Sequence, residues 1–343
     1  MKITKLFPLV LLATMLMAPV FARAADTNTC PMDIADLLDG DAGEAVMIAR
    51  VAGAFNIGSD GRSPGDPKFL LLKRMADEMA LPACRFLDGR HVLGQFIWGL
   101  LEAYKDKPQD LSLSKLKALR EAYPNDAFPI IAEAAYWIML AGEARGTGYA
   151  NTVTEEMRKL QIQHTMTAAK ILTENPEVAQ KSTIWYGQMF GVQKTLGANE
   201  QESVNTFLAA TKNFKTYLPH YIMMRNSLEP KWGGSWKAVD DFIIWAADST
   251  RETEGSSFYP RLYYGVYDNL QPSQRLFRNT KANWSRMAEG CRDLIARYPR
   301  SKDNLRICAA MACEAGQKKA YLAYRKQFGA DIRTRNVVSC DDR

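Results

Sequence analysis

The side chains best suited to chemistry in this sequence are its six cysteines: Cys30, Cys84, Cys291, Cys308, Cys313 and Cys340. Thiolates bind metals and attack electrophiles, and pairs of thiols oxidise to disulfides. No Cys-x-x-Cys is present, and His91, His164 and His220 stand apart from the cysteines in sequence, so no metal site is expected. Buried free thiols and disulfides remain, and an even number in an exported chain favours disulfides. Cys291 lies eight residues before Pro299 and Cys308 nine after it, which makes them face each other in an antiparallel helical hairpin. Cys308 and Cys313, five apart on one helix, are badly placed to bond each other. The expected set is Cys291–Cys308 within a hairpin, Cys313–Cys340 pinning the tail and Cys30–Cys84 closing the N-terminal region.

Familiar catalytic spacings are missing. The chain has no Gly-x-Ser-x-Gly elbow, no His-Glu-x-x-His and no dinucleotide-binding Gly-x-Gly-x-x-Gly. Gly142, Gly146 and Gly148 read as the end of a helix and the start of a loop. Asp240-Asp241 is the most visible carboxylate pair, but neighbours on a helix point about 100° apart and would not share a proton. With Val239, Phe242 and Ile243 turned inward, the pair reads as a solvated face. Glu155-Glu156 suits the start of a helix, where negative charge meets the helix dipole. Asp60-Gly61 to Gly65-Asp66 lacks the spacing of a calcium loop. No catalytic residue, cofactor or metal is expected from these patterns.

Aromatic residues are the better candidates for function. Trp232, Trp236, Tyr259, Tyr263, Tyr264 and Tyr267 fall within 36 positions. Trp232, Trp236, Tyr263 and Tyr264 are the candidate partner-binding residues, since aromatics anchor protein contacts. Core packing is the competing explanation for each. Within Pro230-Lys231-Trp232-Gly233-Gly234-Ser235-Trp236, Ser235 is placed to cap the helix that Trp236 opens. The plain reading of this turn wedges Trp232 between hairpins; the sharper one makes it an aromatic platform.

The elements that would carry these residues are helices. Trp185, Met189, Val192 and Leu196 repeat at helical spacing, as do Val239, Phe242, Ile243 and Ala246, and Met287, Cys291, Leu294, Ile295 and Tyr298. Strand-like alternation is nearly absent. Leu119 to Tyr123-Pro124 recurs as Leu294 to Tyr298-Pro299, each between an amphipathic helix and an Ala-rich one, with looser copies around Pro176 and Pro219. Proline closes the first helix of each pair and can open the second. The expected fold is all-α: antiparallel helical hairpins stacked as a TPR-like α-solenoid, disulfide-stapled. A plain bundle is the alternative. Gly53 to Pro67 reads as a loop, with helices expected over 45–55, near 69–80 and over 91–104.

The N-terminus reads as a secretory signal. Lys2 and Lys5 precede an apolar stretch from Leu6 to Val20, and Ala22-Arg23-Ala24 is a cleavage site. An uncleaved anchor helix is the alternative. The expected divisions are a signal peptide over 1–24, a helical region of unplaced type over 25–105, the helical-repeat domain over 106–330 and a tail over 331–343. No later run reaches about 18 uninterrupted apolar residues, so no membrane span is expected after signal removal. Net charge falls from +6 to +3 when Lys2, Lys5 and Arg23 leave, too even for a nucleic-acid partner.

The Trp232-Gly233-Gly234-Ser235 turn, the segment Phe258-Tyr259-Pro260-Arg261-Leu262-Tyr263-Tyr264, and the stretch from Trp284 through Tyr298-Pro299 to Gly316 resemble a bacterial family of TPR-like helical proteins described as a domain of unknown function. The resemblance covers roughly residues 110–330. It implies a helical-repeat fold and carries no catalytic residue. The leading functional expectation is an exported scaffold, periplasmic or secreted, that binds a protein or peptide partner in the groove between hairpins of 200–330. A cell-envelope hydrolase on a helical fold and an exported antitoxin-like inhibitor of a secreted effector are the alternatives.

Overall fold

The computed structural model describes residues 30–31, 39–56, 67–271 and 273–329. The expected signal peptide, most of the Gly-rich loop, Cys340 and the tail lie outside the described residues. Among those described, every regular element is helical, and the one extended pairing is a single antiparallel bridge between Arg85 and His91.

Three helices form the N-terminal part: α1 (Gly40–Asn56), α2 (Pro67–Ala80) and α3 (Gly94–Tyr104). Helix α1 continues through Gly53, past the point where the loop was expected to begin. Successive antiparallel neighbours follow: α4 (Gln109–Ala122) and α5 (Ala127–Arg145); α6 (Glu155–Glu174), the short α7 (Pro176–Ala179) and α8 (Thr183–Leu196); α9 (Glu200–Asn213) and α10 (Leu218–Ser227). Next come α11 (Trp236–Ser249), the short α12 (Arg251–Glu254) and α13 (Phe258–Asn269), then the short α14 (Leu276–Asn279). The chain continues through α15 (Trp284–Arg297) and α16 (Lys302–Glu314) to α17 (Lys318–Phe328).

One connector geometry recurs. Tyr123 ends α4 at φ −134°, ψ 64°, Phe214 ends α9 at −135°, 63°, and Tyr298 ends α15 at −124°, 63°. In each case the third residue on begins the next helix and returns its N–H to the aromatic residue's carbonyl, at 3.2 Å for Asp126, 3.1 Å for Tyr217 and 3.1 Å for Ser301. Asp126 and Ser301 then cap α5 and α16 with their side chains, at 3.1 Å and 3.0 Å. Ser182 does the same for α8 and Ser235 for α11. The expected copy around Pro219 is displaced: the turn centres on Phe214, and Pro219 sits inside the first turn of α10, where its missing N–H costs nothing.

The interior is a series of connected cores. The first extends from Met47 to Tyr136 without a break at residue 105, so α1–α3 share their core with α4 and α5. The second lies between α5, α6 and α8, and the third runs from Phe190 to Met311. Buried Ala132, Ala134 and Ala135, and later Ala309, Ala310 and Ala312, allow close helix approach as expected. Helix α5 is long and apolar enough to cross a membrane, yet half of that stretch is buried against its neighbours, as in a core helix.

Cys30 is bonded to Cys84, with Cα atoms 4.8 Å apart, and Cys291 to Cys308 across the α15–α16 pair, at 5.7 Å. Cys313–Cys340 reaches outside the described residues, among which no cysteine is free. Two described disulfides in one chain point to an oxidising compartment.

Candidate functional site

The loop between α2 and α3 runs past the connectors that follow α9 and α15 and past the end of α12. Residues 81–93 fold on themselves: Phe86 N–H reaches Arg90 O at 2.8 Å, and Asp88 accepts from Arg90 N and Nε at 2.8 Å and 2.6 Å. Cys84 ties the loop to Cys30. Arg85 then donates to Thr216 at 3.0 Å, to Glu254 at 2.7 Å and to the Tyr298 hydroxyl at 2.9 Å. The carbonyl of Asp88 accepts from Arg261 and from Asn304, the latter at 3.2 Å. Gly89 adopts φ +86°, and a Cβ there would enter the Tyr298 ring. Part of the surface where a partner groove was expected is thus occupied by the chain's own loop.

Closer to the N-terminal helices the space beside the turns is open. A cavity of about 550 Å³ lies between α2, α3 and the connectors at 125–128, 181–184 and 213–217. Its walls are mostly apolar, formed by Met79, Phe96, Ile97, Phe128, Ile131 and Phe214. His91 and Tyr217 border it with rings 5.5 Å apart. Burial, with Arg85 and Arg261 nearby, lowers His91 to about 3, and burial pushes the Tyr217 phenol up. His220 lies behind them, lowered by burial to about 4, with Nε2 2.8 Å from the hydroxyl of Thr183. That pair ties α8 to α10 and is a satisfied structural contact.

The four candidate aromatics separate into different environments. Trp232 is 68% exposed, so it is not wedged between hairpins. Its turn is nevertheless firmly held. Glu229, buried at its base, is 2.9 Å from Lys231 and 3.8 Å from buried Arg225. Gly234 passes so close to the carbonyl of Leu228 that no side chain fits, and Ser235 caps α11 as expected. Trp236 is half-buried on the third core. Tyr263 is fully buried and donates to Asp240, so its ring presents no surface to a partner. Tyr264 is half-buried beneath Arg306, whose Nη1 donates to its hydroxyl at 2.6 Å.

Asp240 and Asp241 diverge as helix geometry requires. Asp241 faces water beside Lys237, at 2.6 Å, but Asp240 turns inward to accept from Tyr259 and Tyr263. The solvated-face reading therefore holds only for Asp241. Gly146 ends α5, as read from the sequence.

Sequence reasoning missed both the loop and the cavity, because their parts come together across more than a hundred positions. It also missed Asp39, Asp88 and Asp303, whose carboxylates lie within 4.8 Å of one another. Asp39 accepts from Ser301 and from the backbone of Asp303, Asp88 is held by Arg90, and Asp303 by Arg306 at 3.1 Å. Burial raises the Asp39 carboxyl. These bonds knit α1, the loop and α16 together. No family model, no curated protein and no solved structure matches this chain.

Proposed function

We propose that this chain is an exported binding scaffold, periplasmic or secreted, which holds a protein partner through the turn that carries Trp232. The observation that carries this reading is a large aromatic side chain held in water by a turn with an anchored base, two glycines and a helix cap. A tryptophan has only two side-chain torsions to fix on binding, and it is enriched among residues that dominate interface energetics. The disulfides and the signal-like N-terminus support export. The paired helices support a scaffold role, since stacked helix pairs commonly offer extended binding surfaces.

The reading is tested by affinity capture of the tagged chain, from residue 25 onward, out of cross-linked envelope extract. Trp232→Ala should abolish a stoichiometric partner, while alanine at Trp98, 60% exposed on the separate surface of α3, should retain it. Equal capture by both variants would remove Trp232 from the interface.

A further inference from the structure

We propose that the cavity beside the helix connectors is a binding site for a small monoanionic amphiphile, with its apolar chain inside and its carboxylate at Lys181. The volume, about 550 Å³, falls within the roughly 300–1,000 Å³ typical of small-ligand pockets. Its walls are preformed. Phe96 and Phe128 meet edge to face at 6.1 Å, and both belong to the core that joins the N-terminal helices to α5. A cavity with mostly apolar walls holds water poorly and gains by taking an apolar group.

The polar groups decide the sign of the head. Four charged residues border the cavity: Asp77, Asp126, Lys181 and Lys215. Both carboxylates are already engaged by Lys73, at 2.5 Å and 2.8 Å. Asp126 also caps α5. Lys181, in contrast, is exposed with no ion pair among the described residues, and Lys215 has only a 3.8 Å contact with exposed Glu252. Lys181 also immediately precedes Ser182, the cap of α8, so the positive end of that helix dipole adds to its charge. Lys73, Lys181 and Lys215 against Asp77 and Asp126 leave a single positive charge in excess around the mouth, and Lys181 is the cation without an ion pair among the described residues. His91 and Tyr217 add none, since burial keeps both neutral.

The test is titration calorimetry of the full chain with three probes below their micelle-forming concentrations: dodecanoate, dodecanol and dodecyltrimethylammonium. Dodecanoate should bind most tightly, and shortening it by two methylenes should weaken binding by about tenfold. Joint Lys181→Glu and Lys215→Glu substitution should weaken dodecanoate by about fivefold and leave dodecanol unchanged. Ala80→Trp places a bulky ring at the rim from an exposed position at the end of α2 and should block all three probes without disturbing the core. Binding that survives Ala80→Trp, or no binding by any probe, would overturn the site. Dodecanol or the ammonium probe binding as well as dodecanoate would overturn the anionic class.

Discussion

Arg85 and Glu254, 169 positions apart, meet at 2.7 Å with the carboxylate almost wholly buried. The pair joins a loop of the N-terminal helices to the far half of the array. Removing one partner strands the other: Arg85→Met should destabilise the fold by about 3 kcal/mol in chemical denaturation. Adding Glu254→Leu should restore most of that loss, because the buried charge then disappears with its partner. A double variant no more stable than the single one would show that Arg85 acts chiefly through Thr216 and Tyr298.

Trp232 and Tyr263 looked alike in sequence and should now behave oppositely. Trp232→Ala removes an exposed ring and should change stability by less than about 0.5 kcal/mol. Tyr263→Ala opens a hole in the core and should cost about 3–5 kcal/mol. Tyr263→Phe keeps the ring and removes the hydroxyl bonded to Asp240 and Tyr259, so about 1 kcal/mol is expected. Thermal and denaturant melts of the three variants check this order.

The Cys30–Cys84 bond should stabilise the chain by about 2–4 kcal/mol. Its loss should be felt locally as well, because Cys84 adjoins Arg85. Hydrogen exchange in the Cys30→Ser/Cys84→Ser variant should quicken first in 84–92, where Val92 N–H is bonded to Cys84 O at 3.2 Å. Uniform quickening across the chain would mean that the loop is held by its distant partners alone.

Acid should weaken the fold before the carboxylates titrate. His91 and His220 hold folded-state values of about 3 and about 4, below the ordinary 6.5. Between pH 6.5 and about 4 the unfolded chain therefore binds more protons than the folded one, and stability falls as pH drops through that window. Burial is the main cause at His91, the Arg85 and Arg261 charges also oppose its protonation, and a hydrogen bond to the Thr216 backbone favours it. Melting temperatures measured from pH 7 to 4 should fall, and His220→Gln should flatten the slope.

Local order was largely legible in the sequence. Ser235 caps its helix, the stripe from Met287 to Tyr298 forms α15, and Cys291 finds Cys308, because each depends on residues within one hairpin. The Pro219 turn was misplaced because the connector is set by the backbone of Phe214, an aromatic helix end like Tyr123 and Tyr298, and proline is dispensable to it. Burial of the aromatics was not legible, since Trp232 and Tyr263 carry the same apolar signal and only tertiary packing separates them. The cavity was hidden for the same reason: its lining runs from Ala76 to Tyr217, and no short window contains it.

The loop that reaches from Cys84 to Asn304 also acts as a ruler. Open helical arrays can gain or lose a repeat, since each unit touches only its neighbours. Here Arg85 must find Thr216, Glu254 and Tyr298 together, while Asp88 O meets Arg261 and Asn304. An inserted or deleted helix pair between α9 and α16 would move those partners out of register with a loop of fixed length. The number of helix pairs in that span is thereby set by a segment encoded before the first of them.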